Sequence, residues 1–172
     1  MHKKRHIKSK SKRTWTDLRV EIKKLCEQLD ISNDEFSEVN INQWNEIESK
    51  IWAKFSSSKN SRCIWETLVP PFATATINYE TIKLEELIDS VEKVWFLLDE
   101  TVNEQTKFWI YEGTINAFEK IFPESVWCDE VLIISKKYEW IFIINHHDIM
   151  IGTGKLKDRI EEIKKVGNNS YK

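Results

Sequence analysis

The triplet His146-His147-Asp148 is the part of the sequence best suited to chemistry. Imidazole and carboxylate groups bind metals and move protons near neutral pH, which makes a small hydrolase or metal-dependent enzyme one hypothesis, with Glu112 as a further member of its site. Adjacent residues on an extended chain point to opposite sides, so the two histidines are not expected to share one ion. The helical spacings that bring two histidines together are also missing. We therefore interpret the triplet as a possible polar site whose simplest role is a turn.

Two further patterns resemble sites but lack the residues that would complete them. Gly152-Thr153-Gly154 precedes a helix, yet it has neither the Lys-Ser/Thr of a P-loop nor a third glycine, so a strand-to-helix turn is predicted. Acidic residues flank several predicted strands, and with no partner nucleophile they predict a solvated rim that could meet a basic partner. This rim consists of Asp99, Glu100, Glu104, Glu112, Asp129 and Glu130.

The three cysteines, Cys26, Cys63 and Cys128, are odd in number and widely spaced. They form no C-x-x-C pair, so we expect reduced thiols that behave as small hydrophobic residues. The sequence therefore indicates no catalytic residue, no metal site and no cofactor.

Charge divides the chain into two unequal parts. Residues 1–13 carry seven basic and no acidic residues, so residues 14–172 hold 19 basic and 28 acidic residues and a net charge of −9. Like-charge repulsion predicts a disordered tail over residues 1–13 and a single domain over residues 14–172. Binding of nucleic acid by the tail is a further alternative, but it would be weak and sensitive to salt.

Composition favours a globular protein. The 172 residues are 41% hydrophobic and 31% charged, and they include eight Trp and eight Phe. No apolar run reaches the roughly 20 residues needed to span a bilayer. We expect a soluble cytoplasmic protein without a secretory leader or a membrane partner.

Apolar periodicity predicts both helices and strands. Helices are predicted over residues 15–29, 41–55, 83–91 and 114–122, with a short helical piece near residues 64–68 and a closing helix from Leu156 to Val166. Strands are predicted over residues 74–79, 94–98, 107–111, 131–135, 139–145 and 148–151, and residues 136–138 form a hairpin turn.

The run from Glu139 to Asn145 is apolar on both sides of the strand. Trp140, Phe142 and Ile144 point one way, while Ile141 and Ile143 point the other. Such strands must be covered twice. The predicted fold is α+β, with N-terminal helices packed on a largely antiparallel sheet of about five strands, one interrupting helix and a C-terminal helix.

Three segments carry a family resemblance, and they lie between Trp95 and Gly154. They are residues 107–113 (KFWIYEG), 135–140 (SKKYEW) and 145–148 (NHHD). The chain resembles a family of small uncharacterised bacterial proteins known only as a domain of unknown function. In size and layout it is also similar, at a distance, to immunity proteins that neutralise bacterial toxins, including the SUKH-type group.

This resemblance and the acidic, aromatic-rich body favour a non-enzymatic protein-binding domain. An immunity protein that blocks a basic toxin domain is the specific form of this hypothesis, since complementary charge accelerates capture. The predicted contact residues are three aromatic residues and two acidic ones: Trp127, Tyr138, Trp140, Glu112 and Asp129.

Overall fold

The computed structural model describes residues 18–58, 63–76, 83–100, 108–125 and 128–169, without the side chains of residues 100, 129 and 166–169. The helices of the described chain are α1 (Leu18–Gln28), α2 (Ile41–Phe55), α3 (Ile115–Ile121) and α4 (Leu156–Asn169). Its strands are β1 (Phe36–Glu38), β2 (Phe72–Thr76), β3 (Lys93–Glu100), β4 (Phe108–Thr114), β5 (Cys128–Ser135), β6 (Ile141–Ile144) and β7 (Ile149–Thr153). The predicted tail, residues 1–13, lies outside these ranges.

All seven strands join one antiparallel sheet in the order β1-β4-β3-β5-β6-β7-β2. The predicted mixture of helices with an antiparallel sheet is confirmed, although the sheet has seven strands where about five were expected. Part of the difference is β1, whose three residues are too short to show an alternating pattern.

The sheet is buried on both faces. One apolar cluster lies between the sheet and helices α1, α3 and α4, and we call this side the α4 face. The second cluster lies between the sheet and α2, and we call this side the α2 face. Within β6, Phe142 and Ile144 belong to the α4 face, whereas Ile141 and Ile143 belong to the α2 face. The prediction that this run is covered twice is confirmed.

Helix α2 spans the residues predicted for it, Ile41–Phe55. The Asn40 side chain caps its start by accepting a hydrogen bond from the Asn42 backbone N–H at 3.0 Å. The helix buries a stripe against the α2 face, which consists of Trp44, Ile47, Ile51 and Phe55. The cap at Asn40 and the packing of the apolar stripe favour the same helix boundaries, so the apolar periodicity predicted both ends of the helix.

Two segments differ from their predicted structures. The helix predicted over residues 83–91 is only a 3₁₀ turn, Leu84–Glu86. Leu84, Leu87 and Ile88 are buried as the pattern required, but Val91 is 73% exposed. The Asp89 side chain accepts a hydrogen bond from the Val91 N–H at 3.1 Å, a turn contact that competes with helix continuation.

The short helical piece near residues 64–68 is likewise a 3₁₀ turn, Ile64–Thr67. Strand β2 begins at Phe72, two residues before the predicted start, and residues 77–79 of the prediction lie outside the described ranges. In the described chain, no helix is long and apolar enough to cross a membrane.

Two glycines permit close contacts. A Cβ on Gly113 would lie 2.5 Å from the Glu35 carbonyl oxygen, so glycine allows β1 to approach β4. A Cβ on Gly152 would lie 2.5 Å from Ile160 Cδ1 and 3.0 Å from Leu156 Cβ. Glycine at this position in β7 therefore lets α4 pack directly on the sheet.

Gly152→Ala is expected to lower the free energy of unfolding by about 1–3 kcal/mol, because the added methyl group overpacks the contact with α4. Adding Ile160→Val removes the Cδ1 atom that the methyl group meets. In urea unfolding, the loss of unfolding free energy in the double variant should then be about 1 kcal/mol smaller than the sum of the losses in the two single variants. Strictly additive costs would contradict this packing account.

Candidate functional site

Glu130 is a buried carboxylate at the edge of the α2 face, with only 4% of its surface exposed. Its Oε1 atom accepts a hydrogen bond from Trp65 Nε1 at 2.9 Å and lies 2.8 Å from His146 Nδ1. A buried charge is tolerated when hydrogen-bond donors surround it. Glu130, Trp65, His146 and His147 together form what we call the Glu130 cluster.

Three separate elements bring the cluster together. Glu130 stands in β5, directly opposite Asp99 of β3. Trp65 comes from the 3₁₀ turn Ile64–Thr67, which is anchored by the fully buried Ile64. His146 comes from the turn that joins β6 to β7.

The buried side chain of Asn145 organises that turn. Its Oδ1 atom accepts hydrogen bonds from the backbone N–H groups of His147 and Ile149, both at 3.1 Å. Asp148 closes the turn with a positive φ of 55°, a conformation that Asp tolerates. The turn predicted from the His146-His147-Asp148 triplet is therefore present.

The expectation that the two histidines point to opposite sides is wrong. Their ring centroids are 4.0 Å apart, because the segment is a turn rather than an extended strand. Both rings also approach Trp65 edge-on, at centroid distances of 5.9 Å for His146 and 6.0 Å for His147. The result is a compact aromatic group held by one buried carboxylate.

The geometry also specifies the chemistry that His146 can perform. An ionised carboxylate only accepts hydrogen bonds, so the 2.8 Å contact with an ionised Glu130 requires a proton on Nδ1 of His146. The His146 side chain is 38% exposed, which leaves this ring accessible to a binding partner or a substrate. Among the described residues, no group of three or more His, Cys, Asp or Glu side chains is arranged to hold a metal ion.

Glu112 and Tyr138, two of the predicted contact residues, lie at the other end of the α2 face. In β3, Trp95 stands opposite Glu112 and Asp99 stands opposite Glu130. Trp95 and Asp99 are four positions apart, so the two ends of the face are about 13 Å apart along the strand. Glu112 forms an ion pair with Lys136, whose Nζ lies 4.2 Å from the centre of the Trp95 ring. Sequence reasoning placed Glu112 with the histidines, and the structure separates them.

Tyr138 occupies the predicted hairpin turn between β5 and β6, with a positive φ of 56° and a partly exposed side chain. Its backbone N–H donates to the Ser135 carbonyl oxygen at 2.8 Å. Lys50 of α2 approaches the Tyr138 ring at 6.0 Å.

Trp140 was predicted as a surface contact, and this prediction is wrong. Only 2% of its surface is exposed, because it points into the core of the α4 face. Lys155 covers its ring, with Nζ 5.1 Å from the centroid. Of the other predicted contact residues, Trp127 lies outside the described ranges, as does the side chain of Asp129.

The three cysteines are free and partly buried. Burial, with a smaller contribution from the Glu27 carboxylate, raises the pKa of the Cys26 thiol, so it remains protonated at neutral pH. A protonated thiol is a poor nucleophile, which agrees with the interpretation of Cys26 as a small hydrophobic residue.

Sequence reasoning missed two members of the cluster. Trp65 was counted only as part of a helical piece, and Glu130 was assigned to a solvated acidic rim. The available signal was the position of Glu130 in front of the apolar run from Val131 to Ile134. A carboxylate next to a strand that is buried on both faces loses contact with water, so it requires a hydrogen-bond donor from the protein.

Comparison with known proteins assigns the chain to a family. Residues 14–164 match the model of a family of unknown function, DUF6756. The chain belongs to this family. No curated protein and no solved structure matches it. The DUF6756 match covers every member of the Glu130 cluster, so the cluster lies within the family domain.

The Glu130 carboxylate is expected to fix the tautomer of His146. Long-range ¹H–¹⁵N correlation spectra at neutral pH should show Nδ1 protonated and Nε2 unprotonated in the neutral ring. A spectrum with Nε2 carrying the proton would contradict the hydrogen bond to Glu130.

Glu130→Ala leaves the N–H groups of Trp65 and His146 without their acceptor, and should lower the free energy of unfolding by about 1–3 kcal/mol. Glu130→Gln is the matched control, because its amide oxygen can still accept a hydrogen bond from Trp65. Chemical denaturation should therefore rank the wild type first, Glu130→Gln second and Glu130→Ala last. Equal stability of the two variants would contradict the acceptor role of this side chain.

Proposed function

We propose that this DUF6756 protein is a non-enzymatic protein-binding domain that neutralises a bacterial toxin by forming a complex with it. In this proposal it acts in the bacterial cytoplasm as an immunity protein. The observation that supports it best is the Glu130 cluster, in which the partly buried Trp65 is hydrogen-bonded to a buried carboxylate.

Trp65 has the properties of an interface anchor. Its indole N–H is already bonded to Glu130, so a partner can cover the ring without leaving a buried donor unsatisfied. The edge-on contacts with His146 and His147 restrict the ring further. Tryptophan is enriched at binding hot spots, and an anchor that is ordered before binding loses little entropy on association.

The charge of the domain favours a basic partner. Residues 14–172 carry a net charge of −9, which would accelerate the encounter with a basic toxin domain. The resemblance to immunity proteins points to the same class of partner. Glu112 and Tyr138, at the other end of the α2 face, are proposed as secondary contacts.

The test is coexpression with the product of the neighbouring gene, followed by purification and titration of the complex. Trp65→Ala should weaken binding at least about tenfold, because it removes the anchor. Trp109→Ala is the matched control, since Trp109 is a partly buried tryptophan that packs on Trp44 and beneath Arg19 instead. It should alter stability while leaving the affinity of the folded protein unchanged.

Two outcomes would count against the proposal. One is the absence of a complex with the neighbouring gene product. The other is an equal loss of affinity in Trp65→Ala and Trp109→Ala, which would indicate a general effect of tryptophan removal.

A second candidate function is a small hydrolase that uses His146 as a general base. The Nδ1 contact with Glu130 favours it, because a carboxylate that orients an imidazole is a common arrangement for proton abstraction. Hydrolysis of activated carboxylic and phosphoric esters should then be lost in His146→Ala and retained in His147→Ala. Equal rates in the wild type and His146→Ala would remove this candidate.

A further inference from the structure

Strand β2 ends the sheet, and in the described chain it pairs only with β7. The direction of its backbone groups follows from the register. The Ile149 carbonyl accepts from the Asn145 N–H at 3.1 Å, so the backbone of Ile149 faces β6. Antiparallel pairing alternates, hence Met150 and Gly152 face β2 and bond to their partners Ala75 and Ala73.

The remaining backbone groups of β2 point away from the sheet. These are the N–H and C=O groups of Phe72, Thr74 and Thr76. A strand edge of this kind is a template for a further strand, and proteins commonly protect such edges with charged residues. Strand β2, with the sequence FATAT, contains none.

The surroundings of β2 indicate which strand would fit. Phe72 is 39% exposed and Val69 is 42% exposed, so the edge begins at an apolar patch. Residues 14–172 carry a net charge of −9, so a second copy is repelled in most relative orientations. Strand β2 carries no charged side chain, so two copies can pair there without bringing like charges of the strand together, and a basic partner would find no acidic side chain of this strand to pair with.

We propose that β2 pairs antiparallel with β2 of a second copy of this chain, across a twofold axis at Thr74. In this register Thr74 exchanges both backbone hydrogen bonds with Thr74 of the other copy. Phe72 stands opposite Thr76 of the other copy, and these side chains lie on the α2 face. Ala73 and Ala75 remain beneath α4. The two sheets become one continuous sheet, and the pairing is self-complementary as a twofold interface requires.

The strand contact is short, so the dimer is expected to be weak and concentration-dependent. Sedimentation velocity from micromolar to millimolar concentration should show a reversible monomer–dimer equilibrium. Thr74→Lys places two lysines opposite each other at the axis and should raise the dissociation constant about tenfold. Gln28→Lys adds the same charge at an exposed position of α1, and should leave the dissociation constant unchanged.

Hydrogen exchange tests the same register without a substitution. The Thr74 and Thr76 amides should exchange more slowly as protein concentration rises. The Ala73 and Ala75 amides, already bonded to β7, should show no such dependence. A chain that stays monomeric at every concentration would overturn the proposal, as would a dimer that Thr74→Lys and Gln28→Lys affect equally. Neither result would bear on toxin binding through Trp65.

Discussion

Burial of both faces of the sheet is the constraint on which the rest of the structure depends. Strands β3, β5 and β6 carry apolar side chains at successive positions, so each face needs its own cover. In the described part of the chain, three α-helices cover the α4 face, whereas α2 is the one α-helix over the α2 face. The ends of the α2 face are therefore closed by side chains that combine an aromatic ring with a charge. At one end Trp65 meets Glu130, and at the other Lys136 covers Trp95.

The buried polar side chains stand near strand ends, and the bonds they form shape the turns. Ser135 Oγ accepts from the Glu139 N–H at 2.9 Å, and Thr153 Oγ1 accepts from the Ile141 N–H at 3.0 Å. Asn145 performs the same task for the turn that carries His146 and His147. The arrangement that satisfies the backbone thus also fixes the orientation of the candidate site. The hydrogen bonds of Asn145 therefore both support the turn and position His146 and His147.

The two proposed functions depend on one property of the Glu130 cluster, its order before any ligand arrives. A protein partner would use the rigid Trp65 surface, whereas a substrate would use the accessible ring of His146. The β2 edge differs from the cluster in character, since its strand FATAT presents backbone groups and no charged side chain. In the two binding proposals, the aromatic site would contact a basic toxin and the neutral edge would contact a second copy of the chain. The Glu130 cluster and the β2 edge belong to the same sheet, which ends at β2 and packs its central strands against α2.

Local pattern determined a large part of the fold. The stripe of α2, the hairpin around Tyr138, the interrupting helix α3 and the double burial of β6 could all be predicted, because each depends on residues close in sequence. Tertiary structure alone decided the burial of Trp140, the addition of β1 and the assembly of the site. Trp65 is 65 residues from Glu130, and His146 is 16 residues from it. The register of β5 with β3 and the position of the 3₁₀ turn bring them together, and neither is encoded in a local period. The sequence by itself therefore specified which residues are apolar, helical or turn-forming, while long-range packing decided which polar groups meet.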